Sequence, residues 1–222
     1  MAAGVGTRLG ADVPKAFAPL AGEPLLGRAL RGAITCADEL VVVVPADWVN
    51  AAQGLVGELD ASVQATPVAV VPGGAERSDS VAAGLRALTA EVDVVLVHDA
   101  ARALAPASLF DRVATAVRAG ASAVVPGVPV VDTVKQVDAT GWVVATPARA
   151  TLRAIQTPQG FRRDVLERAH ADSGQPGSGL ATDDAGLVES LGERVLVVPG
   201  DRLAFKVTTA DDLATAARIL AE

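Results

Sequence analysis

The sequence predicts an α/β domain in which helices flank both faces of a mostly parallel, mixed β-sheet. Five short apolar runs rich in valine are separated by segments with helical periodicity, and one hairpin signal interrupts this alternation. Runs of four to six apolar residues without polar alternation are typical of strands buried on both faces. A strand followed by a helix and another strand favours parallel pairing. The five runs are residues 39–45, 67–72, 93–99, 122–126 and 194–199.

Four segments outside these runs carry apolar residues at the spacing of an amphipathic helix. Residues 24–36, for example, are apolar at positions 25, 26, 29, 30, 33 and 34. The last helical segment opens with Thr208-Thr209-Ala210-Asp211-Asp212, a composition favoured at helix N-termini. The four predicted helices cover residues 24–36, 79–88, 106–119 and 209–220.

Residues 128–146 interrupt the alternation of strands and helices. Two strand-like stretches flank Asp138-Ala139-Thr140-Gly141, which is a hairpin signal. Such a β-arm can pair with a second subunit and cover its own edges, or it can fold back on its own sheet. The sequence leaves both possibilities open, and we expect a single domain over residues 1–222 with this arm inserted at about 128–150.

The chain opens on a glycine-rich segment, Ala2-Ala3-Gly4-Val5-Gly6, with no apolar run before it. A glycine-rich phosphate loop normally follows a buried strand. Either the fold has no strand here, or the first strand is missing from this chain, which is our expectation. Neighbouring strands would then carry unpaired backbone N–H and C=O groups, and burying each such group costs about 1–3 kcal/mol of stability. We therefore expect low stability or weak activity, restored by residues added upstream.

Composition excludes several classes of protein. The chain has 222 residues, a net charge of −7 and one cysteine, Cys36. Its acidic balance argues against a general nucleic-acid or membrane-surface binder. No stretch reaches the ~18 apolar residues of a membrane span. A single cysteine cannot form an internal disulfide and suits a reducing compartment, so we expect a cytoplasmic protein.

The glycine-rich segment carries two cations, Arg8 within it and Lys15 after Pro14. It fails the dinucleotide pattern G-x-G-x-x-G because position 9 is leucine, and it lacks the Gly-Lys-Ser/Thr of a P-loop. Glycines let backbone N–H groups approach a phosphate, so the segment still suits a polyphosphate. The chain has only three lysines: Lys15, Lys135 and Lys206.

The segment AAGVGTRLGADVPKAF resembles the signature of sugar-phosphate nucleotidyltransferases. Six further segments narrow the resemblance to the 2-C-methyl-D-erythritol 4-phosphate cytidylyltransferase family and follow its order along the chain. They are PGGAERSDSV (72–81), VLVHDAAR (95–102), DTVK (132–135), RATLRAIQTPQGF (149–161), ATDDAGLVE (181–189) and LAFKVTTADDL (203–213). The resemblance implies a Rossmann-like, GT-A-like nucleotidyltransferase domain.

It also implies a reaction. A phosphomonoester oxygen of the acceptor attacks the α-phosphorus of CTP, pyrophosphate leaves, and an enzyme of this kind holds two anions together. By resemblance, Arg8 and Lys15 stabilise charge on the triphosphate, and Arg149 and Lys206 position the acceptor phosphate. We note Ala103 and Leu104 where many members carry proline, and Ala75 where a carboxylate often stands.

The resemblance assigns the remaining binding residues to two groups. The cytidine and ribose side is matched by Ala2, Ala3, Gly4, Gly74, Ser80 and Asp99, and the acceptor side by Arg102, Thr133, Thr157 and Thr182. A magnesium ion is implied, held mainly by the CTP phosphates with Asp99 nearby. Since Thr133 and Arg149 act from the partner's arm in the family, a homodimer is implied.

Other interpretations remain for the site. A related cytidylyltransferase could use another alcohol phosphate such as ribitol 5-phosphate, and a non-catalytic nucleotide-binding protein could keep the same fold. Arg77 and Asp79 are typical of a helix start, and Asp183 and Asp184 favour an N-cap over a metal pair. His98 is expected to be a packed core side chain rather than a base. His170 is expected at the surface.

Overall fold

The computed structural model describes residues 1–3, 13–59, 66–172 and 182–221. Arg8 and Gly4 lie outside these ranges. The described helices are α1 (Leu25–Ile34), α2 (Val49–Glu58), α3 (Arg77–Ala87), α4 (Ala107–Arg118), α5 (Arg163–Asp172), α6 (Asp184–Ser190) and α7 (Ala210–Ala221). Short 3-10 turns cover Lys15–Phe17, Ala46–Trp48, Arg149–Thr151 and Arg202–Ala204.

The described strands are β1 (Pro19–Leu20), β2 (Glu23–Pro24), β3 (Leu40–Val44), β4 (Val68–Pro72), β5 (Val94–Val97), β6 (Ala123–Pro129), β7 (Gln136–Val137), β8 (Val143–Ala145), β9 (Arg153–Ile155), β10 (Gln159–Arg162) and β11 (Val195–Pro199). All five predicted apolar runs form strands, and all four predicted helical segments form helices. The predicted α/β class with a mixed sheet is confirmed.

The largest sheet has the order β11-β6-β10-β5, and β9 also pairs with β6. β11 runs parallel to β6, but β10 lies antiparallel between β6 and β5. The sheet therefore has more antiparallel pairs than the alternation of strands and helices predicted. β11 is also less buried than predicted, because it lies at the sheet edge with Leu196 49% and Val197 46% exposed.

Helices pack closely on this sheet. A Cβ added to Gly160 of β10 would lie 2.5 Å from a methyl carbon of Val113 on α4, so only glycine admits this approach. On the other face, α3, α5 and α6 enclose Phe161, Leu166 and Val188, all fully buried. This packing fixes the positions of the loops that follow the strands.

β3 and β4 form a separate parallel pair. Among the described residues, β3 pairs with β4 and β5 pairs with β10, and β3 does not pair with β5. A cavity of about 800 Å³ lies between them, lined by residues that include Val42, Leu30 and Phe110. This gap separates the pair of β3 and β4 from the largest sheet.

Backbone groups of Met1 and Ala2 bridge the end of this gap. The Met1 ammonium donates to the carbonyl of His98 (2.6 Å), and the Ala100 N–H donates to the carbonyl of Met1 (3.0 Å). On the other side, the Ala2 N–H donates to the carbonyl of Val43 (2.8 Å). The two bonds of Met1, to residues 98 and 100, have the spacing of a parallel pair.

The predicted hairpin is confirmed as β7 and β8, which pair antiparallel. Its turn is stabilised by Asp138 Oδ1, which accepts from the backbone N–H groups of Thr140 and Trp142, while Gly141 has a positive φ of 90°. The arm exposes several large apolar side chains: Val131 (72%), Val137 (54%), Trp142 (76%), Val143 (56%) and Val144 (57%). In the described ranges, no helix is long and apolar enough to span a bilayer.

Candidate active site

A pocket of about 360 Å³ opens at the carboxyl ends of β4 and β5, the edge at which open α/β sheets bind ligands. It collects residues from segments far apart in the sequence. Its lining includes Ala2, Ala3, Lys15, Gly74, Arg77, Ser80, Asp99, Lys206 and Thr208. Seven of these were predicted as site residues from the sequence: Ala2, Ala3, Lys15, Gly74, Ser80, Asp99 and Lys206.

The start of α3 forms one wall of the pocket. Glu76 and Asp79 form a capping box, so the predicted capping role of Asp79 is confirmed. Ser80 is 2% exposed, and its hydroxyl accepts from the Gly74 N–H (3.1 Å) and donates to the Glu76 carbonyl (3.1 Å). A Cβ at Gly74 would overlap the side chain of Asp79. The turn thus requires glycine at position 74 and holds its backbone at the pocket.

Asp99 is the most strongly perturbed carboxyl of the pocket. Its Oδ2 accepts from the Lys206 ammonium (2.7 Å), and its Oδ1 lies 3.8 Å from the Arg77 guanidinium. Burial alone would raise the pKa of Asp99, but the charges of Lys206, Arg77 and the Met1 ammonium lower it to about 2. Asp99 therefore remains ionised and orients two cations at the pocket.

Thr157 and His98 lie behind Asp99. The Thr157 hydroxyl accepts from the Asp99 backbone N–H (3.0 Å) and lies 3.1 Å from Nδ1 of His98. Burial and the nearby Met1 ammonium lower the pKa of His98 to about 3. The His98 ring packs against Phe110. His98 is thus a neutral core side chain, as predicted, and Thr157 supports Asp99 from within the protein.

Arg102 lies close to this pocket but does not line it. Its guanidinium donates to the carbonyls of Ala204 (2.7 Å) and Ile155 (3.2 Å), and burial lowers its pKa. The Nε atom of Arg102 is buried without a hydrogen-bond partner among the described residues. Arg102 ties the 3-10 turn at Ala204 to β9 and retains an unused donor.

Three predicted residues lie apart from the pocket. Thr133 and Arg149 are exposed on or beside the arm, where Arg149 donates to the Val131 carbonyl (2.7 Å). Thr182 is exposed two positions before α6. The subunit thus does not bring Arg149 together with Lys206, although the family resemblance pairs them.

The expected N-cap before α6 is confirmed, because Asp183 accepts from the Gly186 N–H (2.9 Å). His170, however, is not at the surface. Its side chain is only 5% exposed and lies 3.0 Å from Asp184, which is fully buried. Arg77 does more than begin α3, because it also donates to Asp184 (2.7 Å). Sequence reasoning missed this cluster, since no local motif joins its members.

No group of three or more His, Cys, Asp or Glu side chains in the described ranges could enclose a metal ion. The pocket is lined instead by two carboxylates, Asp99 beside the Lys206 ammonium and Glu76 at the start of α3. A magnesium ion is commonly bound by one or two carboxylates together with substrate phosphates. The residues present therefore fit a magnesium ion that arrives with a polyphosphate.

Comparison with known proteins identifies the family. The family model described as "IspD: 2-C-methyl-D-erythritol 4-phosphate cytidylyltransferase" matches residues 1–222. The chain belongs to this family. It is therefore an enzyme of the nucleotidyltransferase class, and the resemblance described in the sequence is confirmed.

Curated relatives in the IspD family extend over nearly the whole chain. The 2-C-methyl-D-erythritol 4-phosphate cytidylyltransferase of Nocardia farcinica is 52% identical over 221 residues, covering 99% of this chain and 91% of the relative. That of Saccharopolyspora erythraea is 51% identical over 225 residues, covering 99% and 96%.

Solved IspD structures share the fold. The 4-diphosphocytidyl-2C-methyl-D-erythritol synthase of Anaerococcus prevotii has a TM-score of 0.86 and 28% identity, covering 100% of this chain and 95% of that chain. The cytidylyltransferase of Thermus thermophilus has a TM-score of 0.76 and 34% identity, with 94% of each chain covered. The Rossmann-like arrangement around the pocket is thus the fold of the IspD family.

Proposed function

We propose that this protein transfers CMP from CTP to 2-C-methyl-D-erythritol 4-phosphate. The products are 4-diphosphocytidyl-2-C-methyl-D-erythritol and pyrophosphate, in isoprenoid precursor biosynthesis. The observation that carries the proposal is the convergence of Lys15, Lys206 and the Gly74 turn on one pocket, in a chain of the IspD family. Lys15 and Lys206 are 191 positions apart in the sequence, so the fold is what brings them together.

The reaction is a direct displacement at phosphorus. An oxygen of the acceptor's phosphate forms a bond to the α-phosphorus of CTP, and the bond from that phosphorus to the bridging oxygen of pyrophosphate breaks. Both reactants are anions, so the protein must hold them together and balance charge that develops on the leaving group. Lys15 and Arg8 serve the triphosphate, and Lys206 with Arg149 serves the acceptor phosphate.

The nucleoside is bound largely by backbone groups. The tight turn at Gly74 and the buried Ser80 hydroxyl fix the backbone on one side of the pocket, and Ala2 and Ala3 line the other side. We propose that Gly4 binds the nucleoside together with Ala2 and Ala3. Fixed N–H and C=O groups give specificity for a base edge with little loss of side-chain freedom. Asp99 faces the ribose and phosphate region.

A divalent magnesium ion is the proposed cofactor. Asp99 is the residue that would hold it, together with the CTP phosphates. When bound, the ion would neutralise charge on the phosphoryl oxygens. The protein's own cations act from the other sides of the triphosphate.

We propose that the protein is a homodimer in which each arm completes the partner's acceptor site. The arm exposes Val131 and Trp142, an apolar surface that strand pairing with another subunit would cover. Arg149 and Thr133 lie on or beside this arm. In the dimer they join Arg102, Thr157 and Thr182 around the acceptor of the other subunit, while residues 1–222 form one domain.

Pyrophosphate release tests the proposal. Purified protein is incubated with CTP, magnesium and either 2-C-methyl-D-erythritol 4-phosphate or ribitol 5-phosphate. We expect turnover with the first acceptor at least ~100-fold above the second, because a pocket built to bind particular hydroxyl groups rejects analogues that leave its polar groups unpaired. Turnover with ribitol 5-phosphate alone would contradict the proposed acceptor.

The Lys15→Ala variant tests catalysis itself. Removal of one well-placed charge donor is expected to lower kcat by about 100- to 1000-fold. Unchanged pyrophosphate release would refute the role of Lys15, and no release by the unmodified protein with either acceptor would favour a non-catalytic nucleotide-binding protein.

The cytoplasmic location stays a prediction, which cell fractionation tests.

A further inference from the structure

Five charged or titratable side chains form a continuous chain from the pocket into the protein. Lys206 contacts Asp99 (2.7 Å), Asp99 lies 3.8 Å from Arg77, Arg77 contacts Asp184 (2.7 Å), and Asp184 lies 3.0 Å from His170. Three of these residues, Arg77, Asp184 and His170, received no catalytic or binding role from the family resemblance described above.

Asp184 is the buried anchor of this chain. It is fully buried at the first turn of α6, and its two carboxylate oxygens have different partners, Arg77 at Oδ2 and His170 at Oδ1. Burial by itself would raise the pKa of Asp184, but the hydrogen bond from His170 and the charge of Arg77 lower it. A buried charge is tolerated only when it is paired and hydrogen-bonded, so the ionised carboxylate requires both partners.

Arg77 reaches the pocket from this anchor. Its side chain is 35% exposed, and Arg77 lines the pocket together with Lys15, Gly74 and Lys206. A guanidinium has five N–H donors in a planar fork, so a bond to Asp184 and the proximity of Asp99 leave donors for a further anion. Asp184 and Asp99 flank the guanidinium and restrict its orientation.

A purely structural role would also place Arg77 between α3 and α6. Such a tie does not require the guanidinium to line the pocket or to lie beside Asp99, which contacts Lys206. Arg77 begins α3, directly after the turn from Gly74 to Glu76 that lines the same pocket. The same segment that is proposed to bind the nucleotide therefore holds Arg77 at the pocket.

We propose that Arg77 is a further binding residue for the polyphosphate of the nucleotide, and that Asp184 and His170 are positioning residues that hold its guanidinium toward the pocket. This inference rests on the proposed function. Arg77 supplies a cation on the α3 side of the pocket, while His170 fixes the carboxylate that orients it.

Steady-state kinetics of substitutions at consecutive carboxylates tests this proposal. Asp184→Asn and Asp183→Asn make the same change at neighbouring positions of one helix terminus, but only Asp184 contacts Arg77. Asparagine is as good an N-cap as aspartate, so Asp183→Asn is expected to retain activity within about twofold. Asp184→Asn is expected to raise KM for CTP or lower kcat, with kcat/KM reduced by about tenfold or more.

A double-mutant cycle separates positioning from general destabilisation. Arg77→Met is expected to reduce kcat/KM for CTP by about 100-fold. If Asp184 acts through Arg77, then Asp184→Asn added to Arg77→Met lowers kcat/KM by no more than about twofold further. Full additivity of the two effects would overturn the positioning role. Thermal unfolding of each variant is measured alongside, so that activity is compared only at temperatures where the protein is folded.

Substitution of His170 provides a rescue test. A glutamine side chain carries no charge but places an amide nitrogen near the position of Nε2, so His170→Gln is expected to retain most activity. His170→Leu cannot hydrogen-bond to Asp184, and its activity is expected to fall to the level of Asp184→Asn. Equal activity of His170→Gln and His170→Leu would overturn the role of His170. If the unmodified protein releases no pyrophosphate from CTP, the proposed function fails; if it is active and Arg77→Met matches it, only this inference fails.

Discussion

Lys206→Met separates the catalytic contribution of Lys206 from its structural one. Methionine keeps most of the length of the side chain and removes the ammonium that contacts Asp99 (2.7 Å). The side chains of Lys206 and Asp99 are 46% and 14% exposed, so water screens this ion pair only on the Lys206 side. Because the Lys206 ammonium is the largest charge that lowers the pKa of Asp99, its loss is expected to reduce the free energy of unfolding by at most ~2 kcal/mol. For a chain of this length, such a loss lowers Tm by at most ~8 °C.

The expected effect on catalysis is larger. A cation that acts on charge in the transition state contributes about 2.7–4 kcal/mol, which corresponds to a decrease in kcat of about 100- to 1000-fold. The assay is pyrophosphate release with CTP, magnesium and 2-C-methyl-D-erythritol 4-phosphate, with Tm measured on the same preparation. We expect Lys206→Met to lower kcat by a larger free energy than it removes from the stability of the fold.

Arg168→Met is the matched control for this experiment. It also removes a cation from an exposed ion pair, since Arg168 lies 3.0 Å from Glu193, but Arg168 does not line the pocket. Both partners of this pair are more exposed than Asp99, so the Tm of Arg168→Met is expected to fall by at most ~4 °C, with kcat within about twofold of the unmodified protein. A kcat for Lys206→Met within twofold of the control would refute the assignment of Lys206.

The fold also predicts a pH dependence, an oligomeric state and an effect of chain extension. Asp99 has a folded-state pKa of about 2, below its unfolded value, so it contributes about 2 kcal/mol to the free energy of unfolding above pH ~4, and this contribution is lost as pH falls through 2. The free energy of unfolding in urea should therefore decline less between pH 4 and pH 2 in Asp99→Asn than in the unmodified protein. An identical decline would contradict the lowered pKa of Asp99. Trp142→Asp places a charge on the exposed arm and is expected to shift the protein from dimer to monomer in sedimentation velocity, whereas an unchanged dimer would place the interface elsewhere. Joining a short, extended apolar segment to Met1 is expected to fill the 800 Å³ cavity between β3 and β5 and to raise both Tm and activity. Equal Tm and equal activity of the short and extended proteins would show that the cavity does not limit stability.

The strands with continuous valine and leucine runs could be predicted from the sequence, because burial on both faces leaves a local signal. β10 could not. Its sequence is Gln159-Gly160-Phe161-Arg162, with no apolar run, and it is buried only because it lies antiparallel between β5 and β6. Its central position replaces direct pairing of those two strands, which is why the sheet is less parallel than predicted.

The pocket was predictable where one short segment carries the site, as in the turn from Gly74 to Ser80. The buried cluster around Asp184 was not, because Arg77 and Asp184 are 107 positions apart and meet only through the packing of α3 against α6. His170 was wrongly placed at the surface for the same reason. It follows Val165, Leu166 and Ala169 on the buried face of α5, but a polar residue beside an apolar stripe shows its burial only when its partner is known.

A crystal structure of the protein with CTP and magnesium would show directly whether this pocket binds the nucleotide. We expect the triphosphate to lie in the 360 Å³ pocket, with phosphate oxygens within hydrogen-bond distance of Lys15 and Arg77 and with the cytosine against the turn at Gly74. CTP bound outside this pocket, with these side chains making no contact to phosphate, would contradict it.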